Sequence, residues 1–456
     1  MAEINLINLS EIENFKDLSP EFYKSDYMAK SINIRSGRYR RLSQISYITD
    51  GEHGSPCWSN NSGIKYITAE FIKENFIANG DFKQITVDQD QRNARARLQK
   101  DDILIYSVGA YAGLTCVAEP HLFPANIPRS VAIVRLHNTN EFYPEFISVF
   151  LNSQFGKFQS LRFRAGNSQP VLALEKIRQF EVPLIDISFQ KEITELYQKS
   201  YELREISKTY YQKATTLLEK ELGLDKITFE KTKSHTASFS EVVNSNRADA
   251  DFYQLKFKQL EEHISTLKTT VLASICSFQK GYEVGTKLYT DEGPTFIRVS
   301  NLTINGFTFG NSDKYISDNT YNIFNSHKPD IGDILLTKDG TIGTCYVVDG
   351  EVEGIVSSGI MNLTLNDTSI PKEYLALVIN SQICQMQADR DCSGALITHW
   401  KPEQIRKMKI PILSPETMEL LSDLVIRSKA ARKESIQLLE QAKNRVEELI
   451  EEAAKK

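Results

Sequence analysis

The stretch "DILLTKDGTIG", Asp333 to Gly343, decides how this chain is read. Ile334 to Leu336 form a short apolar run that predicts a buried strand. Lys338-Asp339-Gly340-Thr341 then predict a tight, exposed turn at its end, with Gly343 beyond it. An earlier stretch, "DILIYSVGAYAG", Asp102 to Gly113, has the same shape with different polar residues. Gly113 and Gly343 stand 230 positions apart. An apolar strand and its glycines, repeated with other residues between them, predict one scaffold presenting two different surfaces.

Further matches fall at nearly the same offset and in the same order, which indicates an internal duplication. Phe22-Tyr23 returns as Phe252-Tyr253, and "KYITAEFI" from Lys65 aligns with "TFIRVSNL" from Thr295, both offset by 230. "IRQFEVPL" from Ile177 aligns with "IRKMKIPI" from Ile405, offset by 228. Each copy begins with short β-rich runs such as "ILIYSV", "SVAIVRL", "ILLT" and "CYVV". A helix follows, "PEFISVFLNSQFGKFQ" from Pro144 or "PKEYLALVINSQICQMQ" from Pro371, with proline at its start. A glycine-containing loop and the "IR" exit come next, then a long helix.

The first long helix is expected from Ser188, as its cap, to a stop at Gly223. Ile193, Leu196, Leu203, Ile206, Tyr210, Leu217 and Leu218 mark its apolar stripe. The second runs from Ser414 to about Ala454, with Leu420, Leu421, Leu424, Ile436, Leu439, Val446 and Leu449. At ~1.5 Å per residue each is roughly 55 Å long. A small globular domain cannot bury a stripe of that length, so the two helices are expected to pack on each other. The fold class expected is α+β: two tandem β-rich domains with short helices, joined by two long helices in an antiparallel coiled coil, with a pseudo-twofold internal repeat.

The chain has 456 residues, 41% hydrophobic and 25% charged, enough for several cores. Its net charge of −5 excludes a globally basic nucleic-acid binder; such a function needs local clusters of Lys and Arg, or charge from a partner. Six cysteines without CxxC spacing and seven scattered histidines show no zinc pattern. Free thiols suit a reducing cytoplasm, the localisation expected. The first residues, "MAEINLINLSEIENF", lack a signal-peptide pattern, and no membrane-spanning run is seen.

With "GDILLTKDGTIG" and "DDILIYSVGAYAG" stand three other carriers of a likeness. They are "GNSQPVLALEKIRQFEVPL" (Gly166 to Leu184) with "GALITHWKPEQIRKMKIPIL" (Gly394 to Leu413), "RADADFY" (Arg247 to Tyr253), and the long helix after each copy. Together they resemble the specificity (S) subunit of type I restriction–modification systems over essentially the whole chain. The resemblance implies that residues 1–185 form one target recognition domain and 224–413 a linker and a second. Residues 186–223 and 414–456 would be the helices that set the distance between two DNA half-sites. It also implies a subunit that is no enzyme itself and binds no cofactor, docked to two methyltransferase (modification) subunits that carry S-adenosylmethionine. Restriction/translocase subunits would join through that complex on double-stranded DNA, away from any membrane. The family's Gly-Thr-Pro-like turn is matched by "GEHGSPCW" from Gly51, with Ser for Thr; "KGYEVGTKLY" from Lys280 lacks the proline.

Phosphates call for Lys and Arg, and base edges for hydrogen-bonding side chains on exposed loops. Copy one offers His53, Ser55, Asn60, Asn61 and Lys65, then Arg92, Arg95 and Arg97, then Arg162, Arg164 and Asn167. Copy two offers Lys280, Tyr282 and Lys287, then Lys338, Asp339 and Thr341, then Thr398 and His399. Trp58 and Trp400 are expected in the core. No Asn/Asp-Pro-Pro-Tyr/Phe box, glycine-rich cofactor loop or Walker loop is found, which argues against a methyltransferase or a motor. The alternatives are a coiled-coil scaffold for protein partners, and a specificity subunit of another DNA-modifying defence assembly.

Overall fold

The computed structural model describes residues 20–78, 80–166, 169–230, 232, 234–310, 313–392 and 398–455. It is a mixed helix and strand fold of two compact units, residues 1–204 with 432–456, and residues 205–431.

In the first unit a four-stranded antiparallel sheet has the order Ser46–Asp50, Val131–Leu136, Ile103–Tyr106, Thr115–Val117. Ile103, Leu104 and Ile105 are all fully buried. Successive strand residues point to opposite faces, so an unbroken apolar run needs cover on both. Ile103, Ile105, Ala132 and Val134 pack beneath the helices Pro144–Asn152 and Gln154–Phe163. Leu104, Cys116, Val131 and Ile133 face a second core with Ile67, Ile72 and Ile127. A smaller sheet has the order Ala125–Asn126, Lys65–Tyr66, Gln84–Ile85, Trp58–Ser59. The exit strand Glu181–Pro183 pairs antiparallel with Tyr39–Arg41.

In the second unit the sheet order is Cys276–Lys280, Ile360–Leu365, Ile334–Thr337, Cys345–Val347. By position along the chain, both sheets run first, fourth, second, third. The predicted strand at Ile334 therefore exists, and it alternates faces as Ile103–Tyr106 does. Ile334 and Leu336 pack with Cys345 and Leu363, and Leu335 packs with Tyr346 and Ile360. The exit strand Lys409–Pro411 pairs with Thr269–Val271.

The single helix expected after each sheet is two helices. Pro144–Asn152 and Gln154–Phe163 meet at Ser153, whose ψ of 170° is extended. Lys372–Ile379 and Gln382–Asp391 are separated by Ser381, at ψ 159°. The break aims an asparagine at the outward-facing backbone of the buried edge strand. Asn152 donates to the Thr115 carbonyl at 2.6 Å and accepts from its N–H at 3.1 Å. Asn380 does the same for Cys345, at 2.7 and 2.9 Å. Each second helix adds a glutamine on the exit strand. Gln159 bonds the N–H and carbonyl of Glu181 at 2.7 and 3.0 Å. Gln387 bonds those of Lys409, both at 2.9 Å. A carboxamide offers one donor and one acceptor side, so it replaces a missing neighbouring strand.

The long helices span Ile187–Glu221 and Pro415–Lys455. Gly223 ends the first in left-handed backbone, φ 68°, as expected. Its cap is Asp186 rather than Ser188: the Asp186 carboxylate accepts from the Ser188 N–H at 2.8 Å. Ser414 caps the second by accepting from the Thr417 N–H. Within the first unit Ser200 and Ser435 pair through their hydroxyls at 2.8 Å, and within the second Ser207 and Ser428 do so at 3.1 Å. In each pair the later serine also donates to the partner's carbonyl at 2.8 Å. Of the expected stripe, Ile193, Leu218, Leu421 and Val446 are buried, whereas Ile206, Leu420 and Ile436 are exposed. The serines hold those inward places because a small side chain lets two backbones come close enough for hydroxyl-to-carbonyl bonds.

Replacing Asn380 by leucine strands the N–H and carbonyl of Cys345, and replacing Asn152 strands the Thr115 N–H while the Thr115 carbonyl keeps the Asn75 N–H at 2.8 Å, at about 1–3 kcal/mol for each stranded group. Denaturant unfolding should therefore show Asn380→Leu less stable by about 2–4 kcal/mol and Asn152→Leu by about 1–3 kcal/mol. Asn152→Asp should not rescue, since a carboxylate cannot donate to the Thr115 carbonyl.

Candidate nucleic-acid interface

In each unit four loops converge at one end of the four-stranded sheet. The first two are joined by glycine at a close backbone approach. At Gly51 an added Cβ would lie 1.7 Å from the Ile127 carbonyl oxygen, and at Gly281 2.2 Å from that of Ser357. That closeness permits parallel bridges from Glu52 to Pro128 and from Tyr282 to Ser357.

The other two loops also meet identically. In the first unit Val108 bridges Val171, Gly109 N–H donates to the Pro170 carbonyl at 2.9 Å, and Leu172 N–H donates to that of Ser107 at 2.8 Å. In the second, Asp339 bridges His399, Gly340 N–H donates to the Thr398 carbonyl, and Trp400 N–H donates to that of Lys338, both at 2.8 Å. Gly340 has φ 67°, which a β-carbon would strain, so the turn's glycine follows from its geometry. Ser107, Val108 and Val171 thus occupy the places of Lys338, Asp339 and His399. One backbone carries an apolar pair in one unit and a charged set in the other.

Several predicted residues gather here. His53 Nε2 lies 2.9 Å from Asp50 Oδ2, and Arg95 lies 3.4 Å from the other oxygen of the same carboxylate. Arg129 lines the same depression with Asp50, His53, Ser107 and Val171, and it is exposed. Sequence reasoning missed Arg129, although "PRS" immediately precedes a predicted strand, where a loop residue meets the sheet end. Glu52 was also missed. The Gly54 N–H and the Asn93 side chain both donate to it and hold its carboxyl below the ordinary range.

In the second unit Lys338, Asp339, Thr398 and His399 come together from two loops. Lys338 Nζ donates to Asp339 Oδ2 at 2.6 Å, and His399 Nδ1 lies 2.7 Å from Asp339 Oδ1. Partial burial pushes the Asp339 carboxyl up, but hydrogen bonds from Lys338 and His399, with their charge, outweigh it and lower the pKa. Lys280 and Tyr282 are exposed on either side of Gly281, and Tyr282 stacks on Phe324 with ring centroids 4.0 Å apart. Thr341 is exposed on the same turn.

Other candidates lie apart from these loop ends. Asn60 and Asn61 are exposed beside Trp58, and Lys65 Nζ donates to the His121 carbonyl. Arg97 pairs with Asp90 at 2.6 Å, Arg92 ends its helix 4.0 Å from the Cys57 sulfur, and Lys287 is exposed on a short 3₁₀ turn. Ser55 is exposed and Arg164 half-buried. Asn167 lies outside the described residues.

Two expectations of exposure are corrected. Arg162 is 5% exposed, donates to the Phe22 carbonyl at 3.0 Å and stacks on the Phe22 ring at 4.0 Å. Arg390 makes the matching ring contact with Phe252 at 5.6 Å, so the repeated "FY" is an arginine seat. Lys338 is 7% exposed: its carbonyl accepts from the Trp400 N–H in the bridge, and its Nζ turns back onto Asp339. Trp400 is buried as expected, but Trp58 is not: it is 47% exposed, edge-on to Tyr66, with Lys83 Nζ 5.0 Å above its ring.

Solved structures similar to this chain include the following three. The S subunit of a type I restriction–modification system from M. genitalium aligns at 13% identity over 91% of this chain and 95% of its own, with a TM-score of 0.43. A chain from work on complex assembly and conformational transition of the type I R-M system aligns at 12% over 91% and 97%, TM-score 0.29. The HsdS subunit of Thermoanaerobacter tengcongensis aligns at 14% over 91% and 96%, TM-score 0.27. No family model and no curated protein matches the chain. Among the described residues there is no metal-binding group of His, Cys, Asp and Glu, and no helix is long and apolar enough to cross a membrane.

Asp339 is held below its ordinary pKa, so its pairs stabilise the turn above the unfolded carboxylate value and are lost as pH falls through the lower folded value. In NMR, the titration step of the Asp339 side-chain carboxyl carbon should fall below the ordinary carboxylate range. In Lys338→Met that step should come at higher pH, because a cation that favours the carboxylate is gone.

Proposed function

We propose that this chain is the specificity subunit of a type I restriction–modification assembly. It reads a bipartite, asymmetric sequence in double-stranded DNA and performs no catalysis itself. Residues 1–185 and 224–413 are two copies of one recognition domain. The helical regions 186–223 and 414–456 form an antiparallel coiled coil that sets the distance between half-sites. Two methyltransferase subunits dock on the chain and bring S-adenosylmethionine; restriction subunits join through them in the cytoplasm.

The observation that carries this reading is the recurrence of one sheet, with one strand order and one convergence of four loops, carrying different side chains at equivalent positions. A scaffold used twice binds two similar sites. Different loop chemistry on it suits two different half-sequences. The serine pairs support the coiled coil: Ser200 to Ser207 advances seven residues while Ser435 to Ser428 retreats seven, the spacing of two helical turns. His53, Arg95 and Arg129 in one copy, with Lys280, Tyr282, Thr398 and His399 in the other, are the proposed loop-end contacts. Arg92, Arg97, Lys65 and Lys287 would serve phosphates. The net charge of −5 suits a chain whose partners supply part of the electrostatic grip.

Methylation mapping in cells that express this chain with its neighbouring methyltransferase tests the reading. A split motif with a fixed unspecified gap should appear only when this chain is present. An active methyltransferase without chain-dependent methylation would instead favour a protein scaffold. A second outcome concerns spacing. Inserting one heptad into both long helices, in register, adds ~10 Å, roughly three base pairs at ~3.4 Å each. The gap should lengthen by about that amount while both half-sites stay unchanged.

A further inference from the structure

We infer that the bridge between the third and fourth loops is a specificity-determining position in each half-site, occupied by His399 on Asp339 in one unit and by Val171 on Val108 in the other. This rests on the function proposed above and deepens it by naming which residues choose a base.

The argument starts from how His399 is held. Its side chain is 58% exposed, yet one ring nitrogen is fixed at 2.7 Å on Asp339. Asp339 is fixed in turn by Lys338, whose side chain is 8% exposed. A buried lysine head needs a partner, and its partner here is the carboxylate that holds the imidazole. A carboxylate only accepts hydrogen bonds, so Nδ1 carries the hydrogen in that contact. The opposite edge of the ring, with Nε2, is the one left to the accessible side. A neutral ring offers an acceptor there, suited to the amino group of adenine or cytosine; a charged ring offers a donor, suited to guanine.

The other unit supplies the comparison. The same backbone bonds join Ser107 to Gly109 with Pro170 to Leu172, but no charged side chain is present at the bridge. Val171 is 39% exposed there. An exposed apolar side chain on a loop held by a backbone bridge suits the methyl group of thymine, the one apolar feature of the major groove. The backbone bonds that close the bridge are the same in both units, so closing the sheet does not by itself call for the difference in side-chain polarity.

The test is methylation mapping of the assembled complex with variants of the bridge. His399→Val should relax or change recognition at one base pair of one half-site, with non-cognate sequences at that position gaining methylation roughly tenfold, and leave the gap and the other half-site unchanged. Ser107→Lys, Val108→Asp and Val171→His together should change one base pair in the opposite half-site. A His399→Val complex that methylates only the wild-type motif, to the wild-type extent, overturns the assignment. So does a folded complex, by its thermal melt, that methylates nothing, because the imidazole would then serve assembly rather than base choice. If His399→Val does not accumulate folded, His399→Ser decides on the same criteria. A wild-type chain that directs no methylation overturns the proposed function itself, a result the variants cannot mimic.

Discussion

A buried strand edge must find hydrogen bonds, and the rest of each unit is arranged around that demand. Thr115–Val117 and Cys345–Val347 end their sheets, but helices rather than water lie beyond them. Asn152 and Asn380 close the gap by bonding as a strand would. Further along the same edges, the Tyr197 hydroxyl accepts from Val117 N–H, and Lys429 donates to the Val347 carbonyl. Gln159 and Gln387 repeat the device on the exit strands. These carboxamides orient the helix pair against the sheet, and the sheet in turn holds the loop ends where the candidate contacts gather.

The long helices obey a different constraint. Apolar stripes alone would leave several sliding positions close in energy. A serine whose hydroxyl must reach a hydroxyl and a carbonyl on the facing helix is satisfied at one offset only. Buried hydroxyls without partners are costly, so the pairs Ser200–Ser435 and Ser207–Ser428 penalise slippage. Under the proposed function, a helix pair that sets a distance needs that property more than it needs additional buried area.

At the loop ends, the shared junction is made by backbone and the differences between the units by side chains. Glycines and backbone bonds make the same junction in both units. The side chains on it are then free to change sign, size and polarity without cost to the sheet. This is why the first unit can hold His53, Arg95 and Arg129 around one aspartate while the second holds a lysine–aspartate–histidine chain.

The sequence by itself determined much of the framework. Short apolar runs bounded by turn residues, period-3.6 stripes, glycine stops and repeated offsets gave away the strands at Ile103 and Ile334, the long helices and their ends near Gly223 and Ser414. These signals are local, so a linear reading can find them. What it could not decide were properties made by distant partners. Ser153 and Ser381 break their helices because an asparagine is wanted on an edge strand far back in the chain. Arg162 is buried because Phe22 receives it, and Ile206 and Ile436 are outside because serines hold the inward places. His399 meets Asp339, 60 residues away, only because two loops share a bridge. Burial and pairing of that kind depend on which segments the fold makes neighbours, and only the tertiary structure decides that.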